Sequence, residues 1–220
     1  MSDFAAARRM MVDGQVRTAD VTDKRLLAAM LELPRERFVP EEKEALAYLD
    51  LDVPVTEGKP TRRLLKPMVL AKLIQAAEVG EDDRVLDIGC ATGYSSAVLA
   101  KLAGAVFALE EDAALAKQAK RVLSEVGAAA AAVVSGPLTA GWPAAKPYDV
   151  ILIDGAIEEL PERLAGQLGE GGRLVCVLGQ GPAGKAMLYR CVHGDLSARP
   201  IFDAAAPLLP GFAKPQAFVF

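Results

Sequence analysis

Arg84-Val-Leu-Asp-Ile-Gly-Cys-Ala-Thr-Gly-Tyr94, then a short helical run, then Ala105-Val-Phe-Ala-Leu-Glu110, carries the most informative pattern in the chain. Val85, Leu86 and Ile88 suit a buried strand. Gly89, Ala91 and Gly93 leave little side chain where the chain turns, so a ligand can approach the backbone closely. The pattern is strand, small-residue turn, helix, strand, acidic residue.

Working outward, the same alternation continues on both sides. Pro67 suits the first turn of a helix in which Leu70, Leu73, Ile74 and Ala77 share one stripe, and Gly80 is expected to close it. After it the spacing predicts strands over 84–88, 105–110, 130–134, 148–153 and 172–178, and helices over 93–103, 112–126 and 158–168. Further strands are expected near 186–192 and 215–220. Such an alternation specifies an α/β fold, a mostly parallel sheet with helices on both faces, and the prolines of the last third suit an antiparallel edge.

Upstream, residues 4–16 read as an amphipathic helix. Thr22 or Asp23 then caps a second helix carrying Leu26, Leu27, Met30 and Leu31, which Pro34 ends. Residues 40–47 begin another short helix, residues 50–55 read as extended, and the polar stretch 56–66 is expected to be an exposed loop. Residues 1–66 thus form a helical extension and 67–220 the main domain.

The 220 residues are 52% hydrophobic, enough for a substantial core, and the net charge of -4 disfavours a broad nucleic-acid-binding face. Cys90, Cys176 and Cys191 match neither a disulfide framework nor a zinc site, and with His193 as the single histidine no metal site is expected. No apolar run approaches the ~18 residues of a membrane span, and Met-Ser-Asp-Phe does not begin a signal peptide. The expectation is a reduced, cytoplasmic protein without a membrane or nucleic-acid partner.

Ligands of open parallel sheets bind beyond the carboxyl ends of the strands where the strand order reverses, which makes residues 89–93 the expected seat. A dinucleotide fingerprint starting at Gly89 would need a small residue where Tyr94 stands. The spacing Asp87-x-Gly89-x-Ala91-x-Gly93 resembles motif I of the class I S-adenosylmethionine (SAM) methyltransferases, with alanine at the usual middle glycine. Glu110 stands 21 residues after Gly89, where a carboxylate can accept hydrogen bonds from ribose hydroxyls.

Over most of its length the chain resembles the protein-L-isoaspartate O-methyltransferases. The matching blocks include Leu27-Ala-Ala-Met30, Pro34-Arg-Glu-Arg-Phe-Val-Pro40, Ala47-Tyr48, Val53-Pro-Val55, motif I through Ala97-Val-Leu-Ala100, Gly141-Trp-Pro143, Pro147-Tyr-Asp149, Leu160-Pro161 and Gly171-Gly-Arg-Leu-Val175. The resemblance implies a Rossmann-like class I methyltransferase fold with a seven-stranded sheet and an N-terminal helical extension, SAM as cofactor, and a protein or peptide carboxylate as acceptor. It places Asp87, Gly89, Cys90, Ala91, Thr92, Gly93 and Glu110 at the cofactor, with Gly136, Pro137 and Leu138 on its adenine side.

Two positions depart from the family. Its Gly-Gln-Thr-Ile-Ser loop, whose last hydroxyl lies beside the reacting carboxylate, is here Gly58-Lys-Pro-Thr-Arg-Arg-Leu-Leu-Lys-Pro67. The hydroxyl position falls on Arg62 or, aligned backwards from Pro67, on Leu65; Thr61 is the nearby hydroxyl and fits neither register. The family's Gly-Asp-Gly is replaced at Ser135-Gly-Pro-Leu138, where proline supplies neither the acid nor a backbone donor.

A carboxylate acceptor, with a pKa of about 4, is ionised at neutral pH and needs no general base; an amine or hydroxyl acceptor does. Asp154, at the end of the expected strand 148–153, is the candidate base or a turn-capping residue. Thr61, Arg62 and Asp154 are therefore the candidate catalytic residues. Arg62, Arg63 and Lys66 form a basic cluster able to hold an acidic substrate, although a solvated loop accounts for them equally. His193 reads as a surface residue, the cysteines as core, and Trp142 as packing at a strand end. The expected function is isoaspartyl-type carboxyl methylation in protein repair, with a different acceptor or SAM binding without turnover as the alternatives.

Overall fold

Residues 3–58 and 61–214 are described by the computed structural model. The first helix, α1 (Phe4–Met11), starts where the Asp3 side chain accepts from the Ala6 N–H, and helical turns continue through Val12–Val16. Asp23 caps α2 (Lys24–Glu32) by accepting from the Arg25 and Leu26 N–H groups, and Leu26, Leu27 and Met30 are buried. Single turns at Arg35–Phe38 and Glu41–Leu46 lead to an antiparallel pair, β1 (Val53–Pro54) and β2 (Arg63–Leu64).

That pair corrects the expected exposed loop over 56–66. Arg62 is 6% exposed and Leu64 and Leu65 are 1% exposed. Arg62 and Leu64 point inward at the period of two that a strand imposes, while the arginine in the pattern makes the segment look solvated. Lys59 and Pro60 lie outside the described residues.

The helix α3 (Pro67–Ala77) has proline in its first turn and ends at Glu78, whose φ is 51°. Gly80 is not its cap; its N–H donates to Asp83 Oδ2 at 2.8 Å. The sheet then builds as β3 (Arg84–Ile88), α4 (Tyr94–Leu99), β4 (Ala105–Glu110), α5 (Ala113–Glu125), β5 (Ala131–Ser135), β6 (Tyr148–Ile157), α6 (Glu162–Ala165), β7 (Leu168–Leu178), β8 (Lys185–Val192) and β9 (Asp195–Asp203). Its order is β5-β4-β3-β6-β7-β8-β9. The strands from β5 to β7 are parallel, and β8 and β9 form the antiparallel edge.

Alternate residues of β3 feed opposite layers, Val85 into one apolar cluster and Leu86 and Ile88 into the other. The first cluster also takes in Leu26, Phe38, Leu64 and Leu73, so the N-terminal segments pack on one face of the sheet. Strand order reverses between β3 and β6, which puts the crevice of a doubly wound sheet at their carboxyl ends.

One sequence expectation changes here. The helix over 158–168 shrinks to α6, because β6 runs on to Ile157 and β7 already begins at Leu168. Among the described residues β9 makes the seventh strand of the sheet, and the strand expected at 215–220 lies outside the described residues. Pro200 fits within β9 because an edge strand tolerates a missing donor, and the register shifts beside its partner Met187. Among the described residues no helix is long and apolar enough to cross a membrane.

Candidate active site

The turn after β3 is built for close approach. Gly89, Ala91 and Gly93 have φ of 82°, 50° and 94°, left-handed values that suit glycine and strain alanine. The Gly89 and Cys90 N–H groups donate to Leu109 O at 2.9 and 3.3 Å, and Gly93 N–H to Cys90 O at 2.7 Å. The buried Thr92 hydroxyl donates to Phe38 O at 2.5 Å. These bonds tie the turn to β4 and to the N-terminal segment.

Glu110, fully buried at the end of β4, is saturated by donors from this chain. Its Oε2 accepts from the Ala91 N–H at 2.9 Å and its Oε1 from the Glu111 and Asp112 N–H groups at 3.0 and 3.1 Å. Arg62 then grips both oxygens, Nη1 to Oε1 at 2.7 Å and Nη2 to Oε2 at 3.0 Å, and Nη2 also donates to Gly89 O at 3.0 Å. Both ends of this fork are inside the protein, with side chains 7% and 0% exposed.

Beneath the turn lie two buried carboxyls. Asp87 Oδ2 accepts from the Ser95 and Ser96 hydroxyls at 2.6 and 2.5 Å. Asp87 Oδ1 and Asp154 Oδ1 have no hydrogen-bond partner. Burial pushes the Asp154 carboxyl up, to about 8, with the Asp87 charge adding to the effect. Burial also raises Asp87, against the two serine hydroxyls, and Glu110 adds to the rise.

The other expected residues fall into place around this centre. Asp154 lies within β6 instead of ending it. Thr61 turns its hydroxyl back onto its own loop, donating to Gly58 O at 2.6 Å. Arg63 donates to Asp52 O at 3.1 Å, so the expected basic cluster is divided, with Arg62 alone going to Glu110. Gly136 N–H donates to Glu110 O at 3.3 Å, Pro137 is exposed, and the Leu138 N–H points at Glu111 Oε2, 3.5 Å away. A Cβ built on Gly136 would lie 3.7 Å from the Trp142 ring. His193 is exposed, and Cys90, Cys176 and Cys191 are buried free thiols.

Two contributors escape a reading of the sequence. Arg35 is fully buried, donates to Ala47 O at 2.8 Å and Leu65 O at 2.7 Å, and stacks 4.4 Å over the Tyr94 ring. It clamps the β1–β2 hairpin to the cofactor side, and its signal was the Pro34-Arg-Glu-Arg-Phe-Val-Pro40 block. Leu209 had no signal. Its N–H donates to Ala156 O at 2.9 Å, the Ala156 N–H donates to Pro207 O at 2.8 Å, and its side chain lies over Gly89 and Gly155: a Cβ on Gly89 would sit 3.1 Å from its methyls, and one on Gly155 would sit 2.6 Å from its Cγ.

The sequence model of the protein-L-isoaspartate(D-aspartate) O-methyltransferase (PCMT) family matches residues 7–198. The chain belongs to this family. It is 40% identical over 172 residues to the protein-L-isoaspartate O-methyltransferase of Methanoculleus marisnigri, covering 78% of this chain and 77% of that one. The enzyme of the same name from Opitutus terrae is 41% identical, over 78% of this chain and 72% of its own. A solved protein-L-isoaspartate O-methyltransferase superposes with a TM-score of 0.81 at 25% identity, covering 93% of this chain and 66% of that one. A Plasmodium falciparum structure described as a putative member in complex with S-adenosyl-L-homocysteine gives a TM-score of 0.75 over 95% of this chain and 99% of its own; at 18% identity that likeness concerns the fold.

The PCMT chain is thus a SAM-dependent methyltransferase of class I fold, with SAM as its cofactor. The residues present fit that group at one end: the buried Asp87 Oδ1, which has no hydrogen-bond partner, suits an ammonium. At Glu110, the carboxylate expected to meet the ribose, the arrangement is closed, since Arg62 takes the carboxylate and Leu209 covers Gly89.

Proposed function

We propose that this protein methylates a carboxylate of isoaspartyl residues in proteins or peptides, as a repair enzyme of a reduced, cytoplasmic compartment. The family match carries the reading, because it spans both the glycine turn and the hairpin beside it. We assign the ammonium of SAM to Asp87, its body to Gly89, Cys90, Ala91, Thr92 and Gly93, its ribose to Glu110, and its adenine side to Gly136, Pro137 and Leu138. Residues 1–66 form the substrate-side extension and residues 67–220 the cofactor-binding unit.

When bound, SAM supplies a methyl group on a sulfonium, open to in-line displacement. The protein's part is alignment and the exclusion of water. A carboxylate acceptor arrives ionised, with a reference pKa of about 4, so no base is required of the chain. This agrees with Asp154 being held protonated at neutral pH. Arg62 and Thr61, on the hairpin where the family keeps its hydroxyl, are the residues we place at the acceptor.

The test is methyl transfer from SAM to an isoaspartyl peptide and to its aspartyl counterpart. A base-labile methyl ester should form on the first alone. The missing hydroxyl favours a second reading, an amine or hydroxyl acceptor. Asp154→Asn separates the two, abolishing transfer to such an acceptor and sparing transfer to a carboxylate.

A further inference from the structure

Glu110 offers one carboxylate to two claimants. In the structure Arg62 holds it through two short hydrogen bonds and adds a third to Gly89 O, so the guanidinium bridges the ribose acceptor and the glycine turn. A Cβ on Gly89 would meet Arg62 Nη2 at 3.2 Å and the Leu209 methyls at 3.1 Å, so both side chains crowd the surface that the cofactor needs. With five donors already on Glu110, a ribose diol can reach it only by displacing Arg62.

We propose that Arg62 is an internal latch: it occupies the ribose end of the cofactor site, competes with SAM for Glu110, and is released when the cofactor binds. This rests on the SAM assignment above and adds the identity of the competitor. A bidentate arginine–carboxylate pair is strongly directional, and inside the protein neither ion can exchange its partner for water without cost. Closed molecules are incompetent to bind, so the apparent dissociation constant rises by the inverse of the open fraction. Arg62 sits on the hairpin that faces the acceptor, so its release frees a cation on the substrate side at the moment the cofactor is seated.

S-Adenosylhomocysteine is the probe, because it keeps the ribose and lacks the sulfonium charge, so a change in affinity is not simple repulsion by Arg62. Its binding to the full chain is measured by calorimetry and by the melting shift it produces, for wild type, Arg62→Ala and Arg62→Lys. Arg62→Ala should melt lower when empty yet bind roughly 5- to 150-fold tighter, the usual size of a coupling between two states, with Arg62→Lys between the two. A structural role alone would lower the melting point and leave affinity unchanged or weaker, and that result overturns the latch. If Arg62→Ala does not fold, rapid mixing of wild type with the probe decides. A binding rate that levels off with concentration supports an opening step, and one that rises linearly throughout overturns it. Equal binding by all variants removes the latch and leaves the cofactor assignment standing; no binding by any removes both.

Discussion

The glycine turn at residues 89–93 and the hairpin at residues 53–66 face each other across one site, yet they are specified in opposite ways. The turn is held by local bonds to β4 and by residue types that suit its left-handed angles. The hairpin has only two two-residue strands and is held by distant groups: Arg35 on Leu65 O, Asp52 on the Lys66 N–H, and Glu110 on Arg62. A ligand seat made from short-range geometry can be preserved while the surface across from it is rewired. In this chain the turn keeps the Asp87-x-Gly89-x-Ala91-x-Gly93 spacing, with alanine at its middle position, while the hairpin replaces the family's hydroxyl loop.

Cutting the tie between the two regions should have the largest effect. Glu110→Ala leaves the buried Arg62 charge without its carboxylate, with only Gly89 O accepting from the guanidinium, and should cost about 3–5 kcal/mol of stability, read by urea unfolding, with faster amide exchange at residues 62–65. A loss below about 1 kcal/mol, the range of an exposed pair, would mean that the hairpin is not anchored through Glu110.

Next is the buried carboxyl beneath the turn. Asp154 titrates higher in the folded protein than in the unfolded chain, so its contribution to stability is fully present below the ordinary carboxylate range. It is lost as pH rises toward and through about 8. Without ligand, Asp154→Asn should remove that decline, so that its stability relative to wild type rises as pH rises from the ordinary carboxylate range to about 8. Parallel stability–pH curves for the two proteins would refute the assignment.

The smallest effect belongs to the turn itself. Ala91→Gly relieves a left-handed Cβ worth roughly 1–2 kcal/mol and gives back about 0.4–1 kcal/mol through the unfolded chain. The net should be a gain between about 0 and 1.6 kcal/mol, by the same balance, measured by thermal melting. A clear loss would show that the alanine methyl is needed for packing in the turn.

Much of this was legible from residues near one another. The parallel strands, the cap at Asp23 and the buried stripe of α3 follow from periodicity and from short-range donors. The shortened α6 was not, because Pro161 and the extension of β6 override a helical pattern too short to hold itself. Arg62 was legible as a departure from the family but not as a buried group, since an arginine reads as solvated until a carboxylate is found for it.

By itself the chain of residues determined the α/β class, the family and the kind of cofactor, because strand and helix periods and the Asp87–Glu110 spacing act over short stretches. Only the tertiary structure decided which groups meet at the ribose end. Arg62 and Glu110 lie 48 positions apart, and Leu209 arrives from beyond β9. Their pairing depends on where the folded sheet brings three remote segments together, which no local pattern encodes.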